Sequence, residues 1–451
     1  MKHALPEWRP VLKTALPLVL SNCVNAAQNM LSIFLAATIS LSAAASAGYI
    51  NRIYFIYGAM IIAMNGAGSI RLNRLNGDHQ RAAFDAMLKR MVRFSVLGAV
   101  ACFVIFFLGA HAITRLVEPN GDVGAVPTYL RWMAISYIAV TLASPYYMAL
   151  IAKKQGHDIF RALLVSLSLG GAFSAVSVLY FKLDLAYVGA GCAVAQLVYL
   201  ALMIRAYKRL VACAPVTAHH APGIQPTFQN SFSADAFNLF MAMSVSTLVD
   251  FLILYVLVED VQFVALMSFY FSTTAMLQGV SLGFATAASV FIAQAINESR
   301  RTYSVTVTGY LLYSLPLALF CAAVCYVYLY HTLQPTSPPS GVIFLISLIT
   351  LISCITLFAQ RAVLRAKGDT TFIKKLTFVL SALIKLPLVF YIAYAQPASA
   401  ERTSLLFSVF LLCSVIGLVA IGLRISKSFK SDESLPAGPP VGSASCEGSL
   451  K

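Results

Sequence analysis

Over most of this chain the apolar positions follow neither the helical nor the strand period. They run on for about 18 residues or more at a time and are interrupted by short basic segments. Such runs predict membrane-spanning helices, because a backbone in hydrocarbon must satisfy its own hydrogen bonds. Twelve are expected, at 14–38, 48–69, 94–114, 129–151, 160–180, 186–206, 236–258, 263–294, 304–329, 341–364, 372–394 and 404–423. The third, ninth and twelfth are almost unbroken apolar runs, whereas the first, second and eighth are rich in Asn, Ser, Thr and Gly. The first exceeds the length of a signal-peptide core and contains several amides, so it reads as a retained span.

Composition agrees with this pattern. The 451 residues are 59% hydrophobic and 11% charged, too few charges to cover a water-exposed surface. The net charge of +15 has a topological explanation. If the N-terminus and the even-numbered loops share one face, that face carries 26 of the 32 Lys and Arg and the other face carries 5. Lys385, the remaining one, is the only basic residue near mid-membrane. The bias predicts cytoplasmic N- and C-termini in a bacterial-type inner membrane, and it leaves no basic patch to assign to nucleic acid. Of the nine cysteines, seven lie in spans, and Cys213 and Cys446 lie on the basic face. None is placed for a disulfide on the outer face, and no metal-ligand spacing occurs.

The longest polar gap, with Pro215, Pro222 and Pro226, separates six spans from six. The expected organisation is a cytoplasmic N-terminus (1–13), a first lobe (14–209), a linker (210–235), a second lobe (236–425) and a Pro/Gly/Ser-rich disordered tail (426–451). The halves repeat one another. LIAKKQGHDIF follows the fourth span and LRAKGDTTFIKK follows the tenth; both are basic and are expected to turn at Gly156 and Gly368. An even number of spans per half gives both halves the same orientation, so the repeats are related by a pseudo-twofold axis along the membrane normal.

These motifs resemble the multidrug and toxic compound extrusion (MATE) family. The resemblance covers about residues 10–425 and rests on ALPLVLSN around Pro17, LNGDHQRAA after the second span, the Gly-Asp-Thr turn at 368–370, its looser partner at 156–158, and VGAGCAVAQ opening the sixth span. It implies an all-α integral membrane protein with twelve helices in two six-helix lobes, exporting organic, often cationic, compounds by alternating access. It also makes Pro17 a hinge candidate. An acidic residue of the family's first span falls at Ser32 here, and the fifth span has no carboxylate, so the first-lobe acidic pair is missing.

Of the seventeen carboxylates, sixteen are assigned to loops, helix ends or the tail, and only Asp250 lies well inside a span. A charge at that depth is costly and marks a functional candidate. Asp250 is expected to bind the coupling ion, H+ or Na+; the competing reading is a structural ion pair. Lys385 either contacts substrate anions, pairs with Asp250, or extends its amine to other polar groups. In the first span, Asn22, Asn25 and Asn29 share one helical face, and Ser21, Gln28 and Ser32 widen it. Amides cannot face lipid, so the stripe is expected to line a cavity, with helix packing the competing reading. Gln278 in the eighth span is a further cavity candidate. Tyr146, Tyr147 and Tyr270 are expected to pack rather than bind cations.

A secondary exporter of small molecules explains these features best. A lipid-linked saccharide flippase of the same superfamily is the alternative. A membrane-embedded enzyme is less favoured, because the spans hold no pair of carboxylates for acid–base chemistry and no metal cluster. With no nucleotide-binding loop, transport must draw on an ion gradient. No cofactor is expected; the partners are the substrate and the lipid bilayer, and the chain is expected to be a monomer.

Overall fold

The structure, a computed structural model, describes residues 8–77, 81–117, 125–212, 226–256, 286–287, 349, 353, 357, 360–361, 364, 369–397 and 400–433. The first lobe comprises α1 (Trp8–Ile39), α2 (Leu41–Gly77), α3 (Arg81–Cys102), the short α4 (Ala110–Val117), α5 (Val126–Ala152), α6 (Gly156–Ala175) and α7 (Leu185–Ala212). The second lobe contributes α8 (Pro226–Val256), α9 (Thr370–Phe378), α10 (Leu386–Ala395) and α11 (Ala400–Glu433). The expected spans at 263–294, 304–329 and 341–364 lie almost entirely outside the described residues, and Gln278 with them. Seven helices among the described residues are long and apolar enough to cross a membrane. Their outward faces carry large apolar side chains such as Leu97, Leu169, Leu383 and Leu423, as lipid contact requires.

Among the described residues, three helices pass from α to π geometry near an end: α3 through Phe103–Leu108, α6 through Val176–Tyr180 and α9 through Val379–Lys385. The last two belong to the fifth and eleventh spans, so the repeat seen in sequence extends to backbone geometry. After the third π segment, Pro387 opens α10, where its missing N–H is tolerated in a first turn.

Several helices outrun the hydrophobic runs that announced them. α1 begins at Trp8, inside the expected N-terminal segment, with Pro10 in its first turn. The expected linker 210–235 is helical at both ends, because α7 runs to Ala212 and Pro226 starts α8 ten residues before the apolar run. α11 continues to Glu433, into the expected tail. Outside hydrocarbon a helix needs no apolar residues, so hydropathy marks the membrane thickness and not the helix end. The turn after α5 also differs from expectation. Gly156 is the first residue of α6, and Lys154 adopts the left-handed conformation (φ 59°), with its N–H on Ile151 O at 2.8 Å.

Close packing in the first lobe depends on glycine. A Cβ on Gly170 would lie 2.4 Å from Gly191 O, and one on Gly191 would lie 1.8 Å from Ser174 Oγ. Gly189 meets Tyr129 in the same way. The small residues of VGAGCAVAQ therefore let α7 approach both α5 and α6.

α8 joins the two lobes. Near its start, Phe232 and Leu239 belong to a core that, apart from Ala287, is otherwise built from buried first-lobe residues such as Leu72, Met91 and Ile159. Farther along, Val249 and Ile253 pack with Val389, Phe407 and Phe410 of the second lobe. One helix thus has each end embedded in a different lobe.

Candidate functional site

Asp250 lies on α8, and Lys385 closes the π segment after α9. Both are only partly exposed, 26% and 11% for the side chains, and Lys385 Nζ donates to Asp250 Oδ1. The ammonium also sits 3.9 Å from the centroid of the Phe410 ring on α11, a cation–π contact. Cys413, one turn on, donates its Sγ–H to Leu380 O at 3.7 Å, across the same π segment. Two span charges far apart in sequence therefore neutralise one another, and an aromatic face shields the cation. The pair ties α8 to the continuous α9–π–α10 helix.

The described site candidates of the first lobe are neutral groups on α1. On α1, Ser32 Oγ donates to Gln28 O at 3.0 Å and lies 3.4 Å from Cys192 Sγ of α7. Gln196 Nε2 donates to Gln28 Oε1 at 3.4 Å. Gln28 and Ser32 thus contact α7. Ser21 is buried and donates to Pro17 O at 2.7 Å, one turn back in the same helix. Asn22 is half-buried, whereas the side chains of Asn25 and Asn29 lie outside the described set. At Ser32, where the family resemblance points to an acid, a hydroxyl and a thiol meet instead.

One half of this lobe is filled by tyrosines that hydropathy did not single out. Tyr54 stacks on Tyr137 with ring centroids 4.3 Å apart and planes at 4°. The Tyr54 hydroxyl donates to Leu130 O at 2.8 Å, and the Tyr57 hydroxyl lies 2.7 Å from Thr141 Oγ1. Each hydroxyl has a partner inside the helix bundle, which removes the cost of burying it. Tyr146 packs against Tyr207 at 5.7 Å, as expected of a core residue; Tyr270 lies outside the described residues.

A second ion pair joins the lobes on the basic face. Arg71 Nη2 of α2 lies 2.5 Å from Asp235 Oδ2 of α8, and Thr370 Oγ1 at the start of α9 donates to Asp235 Oδ1 at 2.7 Å. Asp235 had been assigned to the linker, because the apolar run begins one residue after it. The neighbouring Asp369 caps α9, accepting from Phe372 N at 3.3 Å, and it also pairs with Arg424 Nε of α11 at 2.8 Å. The Asp-Thr of the Gly-Asp-Thr motif thus braces three helices.

Residues 17–176 match the MatE family model. That match spans about a third of the chain. Likeness to solved MATE structures extends over 93–94% of it. The chain is similar to a MATE structure in the bent conformation (12% identity, TM-score 0.74, 94% of this chain and 97% of that one). It is similar to a eukaryotic MATE transporter (12%, 0.75, 94% and 98%). It is also similar to a multidrug resistance MATE family transporter of the MOP superfamily in an outward-facing conformation (14%, 0.73, 93% and 96%). No curated protein matches the chain in sequence. The expected twelve helices in two six-helix lobes agree with the MATE fold, and the molecule is a multi-pass membrane protein with the fold of transporters.

Proposed function

We propose that this MATE-fold chain is an ion-gradient-driven secondary exporter of small organic compounds, working by alternating access between its two lobes. The observation that carries the reading is the Asp250–Lys385 pair, formed by the two charged residues that sequence places deep within spans. A buried pair is held by balance: adding a proton or a cation at Asp250 removes the reason for Lys385 to stay. Lys385 then retains the Phe410 face alone, and the tie between α8 and the continuous α9–π–α10 helix loosens. Because the start of α8 is embedded in the first lobe, a change at Asp250 acts on the helix that joins the lobes. An ion that binds the two conformations unequally shifts their balance, which is the minimum needed for coupling.

In this reading H+ or Na+ is the coupling ion, Pro17 in α1 is a hinge, and the substrate is a drug-like compound or one dedicated metabolite. The chain acts as a monomer in a bacterial-type inner membrane with both termini inside, needs no cofactor and is not an enzyme. The test is efflux from vesicles of candidate compounds under separately imposed proton and sodium gradients. Gradient-dependent efflux supports the exporter. Movement of a lipid-linked saccharide with no efflux of any soluble compound would favour the flippase.

A further inference from the structure

The inter-lobe contact on the basic face is built from charged and aromatic side chains of both lobes. Arg71 is 4% exposed and its guanidinium stacks 5.5 Å from the ring of Phe232, itself 1% exposed. Arg90 of α3 approaches the same ring at 5.7 Å and donates to Ser233 Oγ at 3.4 Å. Two first-lobe arginines therefore hold the start of α8, one of them through the Asp235 carboxylate. Thr370, 1% exposed, fixes the other oxygen of that carboxylate from the second lobe. Asn238, one turn along α8, donates to Thr370 and Thr371 at 3.4 and 3.3 Å. Beside this cluster the helices meet closely, since a Cβ on Gly66 of α2 would lie 3.1 Å from Leu239 Cδ1 of α8.

Such an arrangement is more than filler between packed helices. An apolar seam would close as tightly, whereas a desolvated ion pair with a single geometry is stable only when both partners are in place. It holds one conformation firmly and has little affinity for intermediate ones. For a cavity between the lobes to open on the basic face, Arg71 must part from Asp235 and Phe232 must leave the first-lobe core. We propose that Arg71–Asp235, braced by Thr370, is the latch that closes the transporter on its cytoplasmic face. This rests on the reading of two rocking lobes and adds the residues that govern one of the two gates. The latch and the Asp250 pair lie on one helix, about 22 Å apart at helical rise, so α8 carries both.

The test measures closure directly and needs no substrate. In full-length protein with its native cysteines replaced, the pair G66C/L239C is placed on the seam and its oxidative cross-linking rate is followed in membranes. The parent is expected to cross-link readily. D235N or R71Q should slow the reaction about tenfold, the shift that loss of a charge-assisted hydrogen bond brings, and the swap R71D/D235R should recover most of the rate. T370V, which keeps both charges, should fall between and serves if a charge variant does not fold. Equal rates in the parent and the single variants would overturn the latch, as would a swap no faster than the singles. Efflux measured in parallel separates the two proposals: a slowed cross-link without any gradient-driven efflux refutes the exporter and leaves the latch. Normal efflux with unchanged cross-linking does the reverse.

Discussion

At the scale of single residues, the energetics centre on charges held away from water. Removing one partner of a fully buried ion pair costs about 3–5 kcal/mol, because the survivor keeps its desolvation penalty. Asp250 retains 26% of its exposure, so the cost here lies below that range. Lys385→Gln and Asp250→Asn should each lower the unfolding midpoint in detergent, and the double swap D250K/K385D should recover part of the loss; a midpoint in the swap equal to or below both singles would exclude a direct pair. These two residues were legible from the chain because no other carboxylate or basic side chain falls deep within a span. Asp235 was not legible. It sits one residue before an apolar run, and composition cannot tell a loop carboxylate from one in the third turn of a helix that begins early. Gln28 and Ser32 were half legible: periodicity gave their shared side of α1, but the neighbour facing that side, α7, comes from a segment 160 residues on.

Among elements, close packing is set by residues with almost no side chain. Gly191→Ala must displace Ser174 Oγ and press on Gly170 O, which is backbone and cannot turn aside. Overpacking of this kind costs about 1–3 kcal/mol, so the variant should give less monodisperse protein in size-exclusion chromatography. Gly58→Ala is the control, with nothing within 4 Å of its added methyl, and should behave as the parent. Helix number and order along the first lobe could be read from hydropathy, since a span must be long and apolar. The π segments could not, because a π turn leaves the apolar composition unchanged and only redirects the side chains. That redirection places Lys385, the last residue of its π segment, against Asp250.

For the whole molecule, the distribution of Lys and Arg predicts an orientation with both termini inside. Cysteines introduced at Arg131 or Lys182 should react with a membrane-impermeant thiol reagent in intact cells, and one at Lys208 should react only after permeabilisation. The reverse pattern would invert the topology. The lobes meet through α8, whose start belongs to the first-lobe core and whose end holds the Asp250 pair. The central claim is that this carboxylate couples an ion gradient to export. Its most direct test is gradient-driven efflux from proteoliposomes containing the purified parent or Asp250→Asn, with proton and sodium gradients imposed one at a time. The account predicts efflux under one of the gradients for the parent and none above the protein-free background for the variant, with both proteins equally reconstituted. Efflux by Asp250→Asn equal to that of the parent would contradict it.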